Sequence, residues 1–423
     1  MQNKKITVID SVMGSGKTSW AIRYINDNPK TNFIYVAPYL AEVDRIMNSC
    51  PNRFKAPHHN GIGKLKSFQY LLSLNADICC THALFTLFDE ETRNLIREKK
   101  YTIIIDEVPM IMTEYGNMCD EERKEKLTKD DLSMMFRSGC LIKNEDDDFL
   151  RWNPKDVKMK ISWYRVKKYA EAGCLLYLDN SFLAWQYNPE NFRVFDNIFI
   201  LTYLFDGSLA KHYFDVYGLK YEKKSVQCLY GKYNLCEFMS CDGAVFKELV
   251  NIYEGKMNYN TVPNSKDKRV LRSHLSKTWF GYSKNKEYIA QLRRNLCNYF
   301  QNNENRKERN KMWTAFKDGK KGNKQLNDKG YTYAFIPCNC RATNDFSDRS
   351  KLAYCVNRFL HPTIKHFFTS KGISVDEDAF ALSEFVQWIW RSRIRNGQPI
   401  EIYIPSKRMR NLLKEWLGLS IEE

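Results

Sequence analysis

Residues 6–24 read ITVIDSVMGSGKTSWAIRY, and the reading of this stretch decides the fold. Ile6, Val8 and Ile9 form an apolar run, Met13-Gly14-Ser15-Gly16 a glycine-bracketed turn, and Lys17 to Tyr24 a stretch of helical composition. Strand, phosphate loop and helix is the order expected. Glycines let backbone N–H groups turn inward toward phosphate oxygens, so Gly14, Ser15, Gly16, Lys17, Thr18 and Ser19 are the candidate cradle. Lys17 reaches the β- and γ-phosphates of a nucleotide, and the Thr18 hydroxyl is a ligand for Mg2+. In the strict form of the pattern a glycine stands where this chain has Ser11. The strand before the loop and the helix after it supply the context that the pattern requires.

A second signal lies downstream. Tyr101-Thr102-Ile103-Ile104-Ile105 runs straight into Asp106-Glu107-Val108-Pro109. An apolar strand that delivers two adjacent acids places Asp106 at a metal and Glu107 beside it, where a carboxylate can orient and deprotonate water. By itself such a run followed by two acids is common and mostly structural. After a phosphate loop, with two further strands between (Asn32–Pro38 and Asn75–Cys80), it gains force. Strands alternate here with helix-like segments such as Leu40–Met47, which argues for an α/β fold with a doubly wound parallel sheet.

Composition sets the bounds. The 423 residues exceed what one core usually holds, so two domains of roughly 200 residues are expected. A formal net charge of +16 points to a polyanionic partner, nucleic acid before membrane. The thirteen cysteines form no C-x-x-C pair, and the first residues lack the apolar run of a secretory signal, so a reducing cytoplasm is the expected setting. Cys338, Cys340 and Cys355 lack the partners of a zinc site and read as packed thiols. No apolar run approaches the ~20 residues that span a bilayer.

Further along, residues 116–170 alternate acidic and basic clusters and read as a helical insertion with its own small core. Strands are expected at Cys174–Asp179 and Asn197–Phe205, the second bringing Thr202 near the acidic pair. The first domain is placed at 1–206 and the second at 207–423. In the second, Glu287–Phe300 has a helical apolar face of Ile289, Leu292, Leu296 and Phe300. Asn302–Lys329 carries nine Lys/Arg against four Asp/Glu, with Trp313 and Phe316 among them, which suits phosphate contacts and base stacking or, as readily, a solvated linker. A strand at Tyr331–Pro337, a helix at Ser350–Phe359, a helix at Ala379–Arg395 and a closing strand at Pro399–Pro405 complete the reading. The last of these helices ends in Arg391, Arg393 and Arg395.

Quoted in order, SVMGSGKT, VAPYLAEVDRI, Thr81-His82, IIIDEVP, ILTYLF, RATND and QWIWRSRIR resemble the successive motifs of superfamily 2 helicases. More narrowly the chain resembles the DEAD/DEAH-type helicases encoded by bacteriophages. That resemblance implies two RecA-like P-loop domains in tandem, with parallel sheets flanked by helices and ATP with Mg2+ as cofactors. By it Lys17 and Thr18 hold phosphate and metal, Asp106 the metal, Glu107 the water, and Gln387, Arg391 and Arg395 the last motif, with Arg395 or Arg393 as an arginine finger in cis. Thr81, Thr202, Arg341 and Thr343 are the implied coupling and nucleic-acid residues. The implied partner is single-stranded DNA ahead of RNA, with replication or recombination proteins beside it, no membrane, and the host cytoplasm as location. DEVP in place of DEAD or DEAH, and the lack of a glutamine motif before the loop, are departures. A DNA-packaging ATPase of the terminase kind and a nucleotide-gated binding module without unwinding are the alternatives.

Overall fold

The computed structural model describes residues 5–50, 53–59, 61, 63–108, 111–115, 127–144, 148–153, 161–179, 182–240, 243–301, 310–318, 322–339 and 345–421. The first half runs β1 (Lys5–Asp10), α1 (Lys17–Asp27), β2 (Asn32–Ala37), α2 (Leu40–Ser49), β3 (Phe54–Lys55), α3 (Lys64–Ser73), β4 (Asp77–Thr81), α4 (His82–Phe85), α5 (Glu90–Lys99) and β5 (Tyr101–Asp106). Next come β6 (Met112–Glu114), α6 (Lys129–Arg137), β7 (Leu141–Lys143), β8 (Leu150–Trp152), α7 (Ile161–Glu171), β9 (Leu175–Leu178) and β10 (Phe182–Gln186). They are followed by α8 (Glu190–Arg193), β11 (Asn197–Thr202), α9 (Leu209–Val216), β12 (Tyr221–Leu229) and β13 (Lys232–Glu237). The remainder contains β14 (Val250–Ile252), α10 (Lys268–Ser273), α11 (Lys277–Gly281), α12 (Lys286–Gln301), β15 (Lys311–Thr314), β16 (Lys351–Tyr354), α13 (Pro362–Ser370), α14 (Glu377–Ile389), β17 (Ile400–Tyr403) and α15 (Lys407–Trp416).

Two compact α/β units result: residues 1–239 with 361–375, and residues 240–360 with 376–423. The main sheet of the first has the order β13-β12-β1-β11-β5-β2-β4-β3. Every pairing in it is parallel except that of β12 with β13. Helices cover both faces, so the central strands are apolar end to end: Ile103, Ile104 and Ile105 are fully buried, as are Phe33 to Ala37. Helix entry is set by short polar caps. Asp89 accepts from the Thr92 amide at the start of α5, and Thr128 and Asp131 form a reciprocal capping box on α6.

Between β5 and β11 the chain builds two small antiparallel sheets, β6-β10-β9 and β7-β8. Met135, Cys140, Leu150, Trp163 and Val166 of this region are buried. The first unit is completed by α13, returned from late in the sequence: Phe368 lies beside His212 of α9, and His361 stacks on Phe182 with centroids 4.6 Å apart.

The second unit has one parallel sheet in the order β14-β17-β16-β15. On α12 the expected face of Ile289, Leu292, Leu296 and Phe300 is buried, as the periodicity demands. Three expectations in this half are corrected. Residues 350–359 do not form a helix; Lys351–Tyr354 is the strand β16, buried along its whole length. Residues 331–337 give a single 3-10 turn at Thr332–Ala334, because the Tyr331 hydroxyl donates to Leu326 O and the Trp313 indole donates to Tyr331 O, which curls the chain back on the core. The helix expected to reach Arg395 stops at Ile389, so the arginines lie beyond it. In the first unit the strand expected through Phe205 ends at Thr202, where Leu204 takes a left-handed φ of 55°. Among the described residues no helix is long and apolar enough to cross a membrane.

Ile104 is fully buried at the centre of the first sheet. Ile104→Ala is expected to destabilise the first unit by about 2–5 kcal/mol, through lost burial and a residual cavity. Urea titration should show an earlier midpoint with an unchanged slope.

Candidate functional site

The glycine turn after β1 has the backbone its sequence requires. Gly14 (φ 86°) and Gly16 (φ 91°) are left-handed, a region costly for residues with a Cβ, and Gly16 is the cap residue from which α1 starts. Lys17 then leads the helix, its ammonium donating to Ser11 O at 2.5 Å and Val12 O at 2.9 Å. The Ser15 hydroxyl is enclosed at the turn and has no hydrogen-bond partner among the described residues. Ser11, which stands where the strict pattern has a glycine, is buried, and its hydroxyl accepts from the Val226 amide of β12 at 2.9 Å. That position therefore serves the sheet, and a serine there is compatible with the loop.

Strand register brings the acids to the same edge. Asp10 pairs with Thr202 across β1 and β11, and Leu201 pairs with Asp106 across β11 and β5. Parallel strands end together, so the loop that leads from β1 to Lys17 and the acids Asp106-Glu107 at the end of β5 converge. Tyr35 donates its hydroxyl to Asp106 Oδ2 at 2.9 Å, and the Arg45 guanidinium stands 4.0 Å from the same oxygen. His82 Nε2 lies 2.9 Å from Asp106 O, tying the start of α4 to the end of β5. Glu107 takes a left-handed φ of 60°, rare for a residue with a side chain and characteristic of strained positions at functional sites.

The electrostatics follow from this crowding. Burial pushes the Asp106 carboxyl up to about 6, with Glu107 adding to the rise, while the Tyr35 hydrogen bond and Arg45 oppose it. Lys17 is half-exposed as a residue, yet its ammonium is enclosed by the loop. Burial brings it down to about 8, against the pull of Asp106, Asp10 and Glu107. The two groups thus face one another with their ordinary charges weakened, a combination typical of sites built to bind or react.

Thr81 ends β4 and Thr202 ends β11, both at this same edge. Gln387 and the arginines belong to the second unit. Gln387 donates to Ser383 Oγ on α14, Arg391 is buried, Arg393 donates through Nε to Pro399 O, and Arg395 is exposed. Arg341 and Thr343 lie outside the described residues. Among the described residues no three His, Cys, Asp or Glu side chains cluster to hold a metal ion. Sequence reading passed over Asp10, Tyr35 and Arg45. Asp10 is buried and accepts from the Phe205 amide at 3.1 Å, and burial raises its carboxyl. Its position directly before the loop was the available signal; Tyr35 and Arg45 gave none, since each reaches Asp106 only through the fold.

Strand, left-handed glycine turn, lysine-led helix and a parallel strand delivering adjacent acids define an α/β protein of the phosphate-loop class. The chain belongs to the YonV family. It is 39% identical over 432 residues to the SPbeta prophage-derived uncharacterized protein YonV of Bacillus subtilis (strain 168), across 98% of this chain and 99% of that one. The YonV C-terminal Rossmann-like domain matches residues 244–417, and the YonV middle domain matches residues 123–185, the region of the small antiparallel sheets. Solved structures with partial likeness are XPD in its apo form (12% identity, TM-score 0.46, 99% of this chain and 96% of that one) and the XPD helicase (12%, 0.45, 100% and 96%). A third is Xpd4 of S. tokodaii (14%, 0.44, 99% and 94%).

The raised carboxyl of Asp106 has a consequence for stability. The folded chain holds that proton more tightly than the unfolded one, whose carboxyl titrates near 3.8, so its contribution is present at acid pH and lost as pH rises through about 6. Asp106→Asn is therefore expected to raise the thermal midpoint of the nucleotide-free protein at pH 8, with the gain shrinking as pH falls below 6. Scanning calorimetry at the two pH values checks this; equal midpoints at pH 8 would contradict it.

Proposed function

We propose that this chain is an ATP-dependent nucleic-acid helicase or translocase. The observation that carries the reading is the convergence of Lys17 with Asp106 and Glu107 at one edge of a parallel sheet. The loop fits a nucleoside triphosphate: left-handed Gly14 has open space where a Cβ would lie, and the enclosed Ser15 hydroxyl is an unused hydrogen-bonding group. Thr18 and Asp106 fit Mg2+, which takes few protein oxygens and completes its shell with phosphate and water. When bound, the ion neutralises phosphate charge. Lys17 binds and orients the β- and γ-phosphates, and their negative charge strengthens the hold on the proton that burial loosens. Glu107 orients water and takes its proton.

Gln387, Arg391 and Arg395 are assigned to the reaction, with Arg395 or Arg393 as the arginine finger. An arginine set beside the transferring phosphoryl group stabilises transition-state charge. Thr81, Thr202, Arg341 and Thr343 are assigned to coupling and to nucleic-acid contact. The net charge of +16 supports a polyanionic track, single-stranded DNA ahead of RNA. The prophage origin of the Bacillus subtilis YonV protein fits a role in phage DNA replication or recombination in the host cytoplasm. A second reading, a nucleotide-gated module that recruits a partner without unwinding, is favoured by the middle region with its own two sheets.

Single-stranded DNA should stimulate ATP hydrolysis, and Lys17→Ala or Glu107→Gln should lower turnover by about 10²–10³-fold. Strand displacement on 3′- and 5′-tailed DNA and RNA duplexes separates the readings. Unwinding supports the motor, whereas unstimulated hydrolysis without displacement supports the module. A Lys17→Ala protein with full activity would remove the assignment altogether.

A further inference from the structure

The hairpin of β12 and β13 extends the first sheet beyond β1. Its strands pair antiparallel from Lys224–Leu229 to Glu237–Lys232, with β13 at the sheet edge. The hairpin returns to the phosphate loop. A Cβ built on Gly16 would lie 2.0 Å from Tyr233 Cε1 and 2.3 Å from Cδ1, so the Tyr233 ring rests directly on the glycine that starts α1. Arg23 of α1 holds the strand there, donating to Tyr233 O at 3.2 Å and to Asn234 Oδ1 at 3.1 Å. Tyr233 as a residue is half-buried. Trp20, the aromatic residue within α1 nearest the loop, is buried against Tyr24 and Phe199 and is committed to the core.

We infer that Tyr233 is the stacking platform for the base of the nucleotide whose phosphates the loop cradles. The inference rests on the phosphate-loop reading above and assigns the half of the nucleotide that the loop motif leaves unspecified. An aromatic ring anchored at the first turn of the phosphate-binding helix stands within a nucleotide's length of Lys17 and Thr18. A base has a π-face whatever its identity, so such a platform binds purines with little discrimination. The structure thereby assigns ATP and GTP as comparable substrates, with pyrimidine triphosphates weaker because they stack over less area. The contact with Gly16 also gives Tyr233 a purely structural reading, a buttress for the left-handed turn, and the two readings part in their ligand dependence.

The experiment compares ATP with inorganic tripolyphosphate, which offers the phosphates without a base. Tyr233→Leu keeps apolar packing on Gly16 and the hairpin but removes the π-face, and Tyr233→Phe retains it. The expected result is a KM for ATP raised about 5- to 150-fold in Tyr233→Leu with kcat little changed, near wild-type values in Tyr233→Phe, and unchanged inhibition by tripolyphosphate in both. Equal weakening of ATP and tripolyphosphate would overturn the inference in favour of the buttress, and so would an unchanged KM. A wild-type chain that binds neither ligand would overturn the phosphate-loop reading itself and this inference with it.

Discussion

The parallel pairing of β1, β11 and β5 in one fixed register is the constraint on which the rest depends. It sets Asp10 opposite Thr202 and Leu201 opposite Asp106, so three strands far apart in sequence finish at one edge. Side chains alternate along a strand, and a slip of one residue would turn Asp106 to the opposite face and separate it from Tyr35 and Lys17. The buried isoleucines of β5 and the apolar run of β2 hold that register, since any slip would expose them. Hydrophobic burial thus positions the charges, and the charges contribute little to positioning themselves.

That arrangement strains the site it creates. Asp106 and Lys17 are each shifted toward their neutral forms by burial, and Glu107 sits in a left-handed conformation that disfavours side chains. Such costs persist only where the surrounding core over-determines the geometry. Here Tyr35 and Arg45 from one side and His82 from another hold the end of β5, and the β12–β13 hairpin closes over the loop from the far edge. The phosphate loop is consequently framed by the end of β5 on one side and the β12–β13 hairpin on the other.

Legibility in the sequence varied with the length of the pattern. β1, β2, β4 and β5 are legible close to their observed limits because buried parallel strands are uninterrupted apolar runs bounded by polar punctuation. The second unit was harder. Residues 350–359 were read as a helix because a short apolar run has no decisive period; in the fold Lys351–Tyr354 pairs on both sides and is a strand. Tyr331–Pro337 has strand composition, but its aromatics find their packing around Trp313 as a turn, an instance of context overriding β propensity. The first sheet also runs on through β12 and β13, past Asp206–Gly207, where the sequence offered only short strand-like pieces.

The sequence by itself determined the strand–loop–helix opening, the strand that ends in Asp106-Glu107, the basic balance and the α/β class. Each is a local pattern, carried by neighbouring residues and by the backbone freedom of glycine. Only the tertiary structure decided what surrounds those residues: Asp10 under Phe205, Tyr35 and Arg45 on Asp106, His82 against the end of β5, and Tyr233 on Gly16. Those partners lie from about 25 to more than 200 positions away along the chain. Strand order and register bring them together, and no local spacing encodes either.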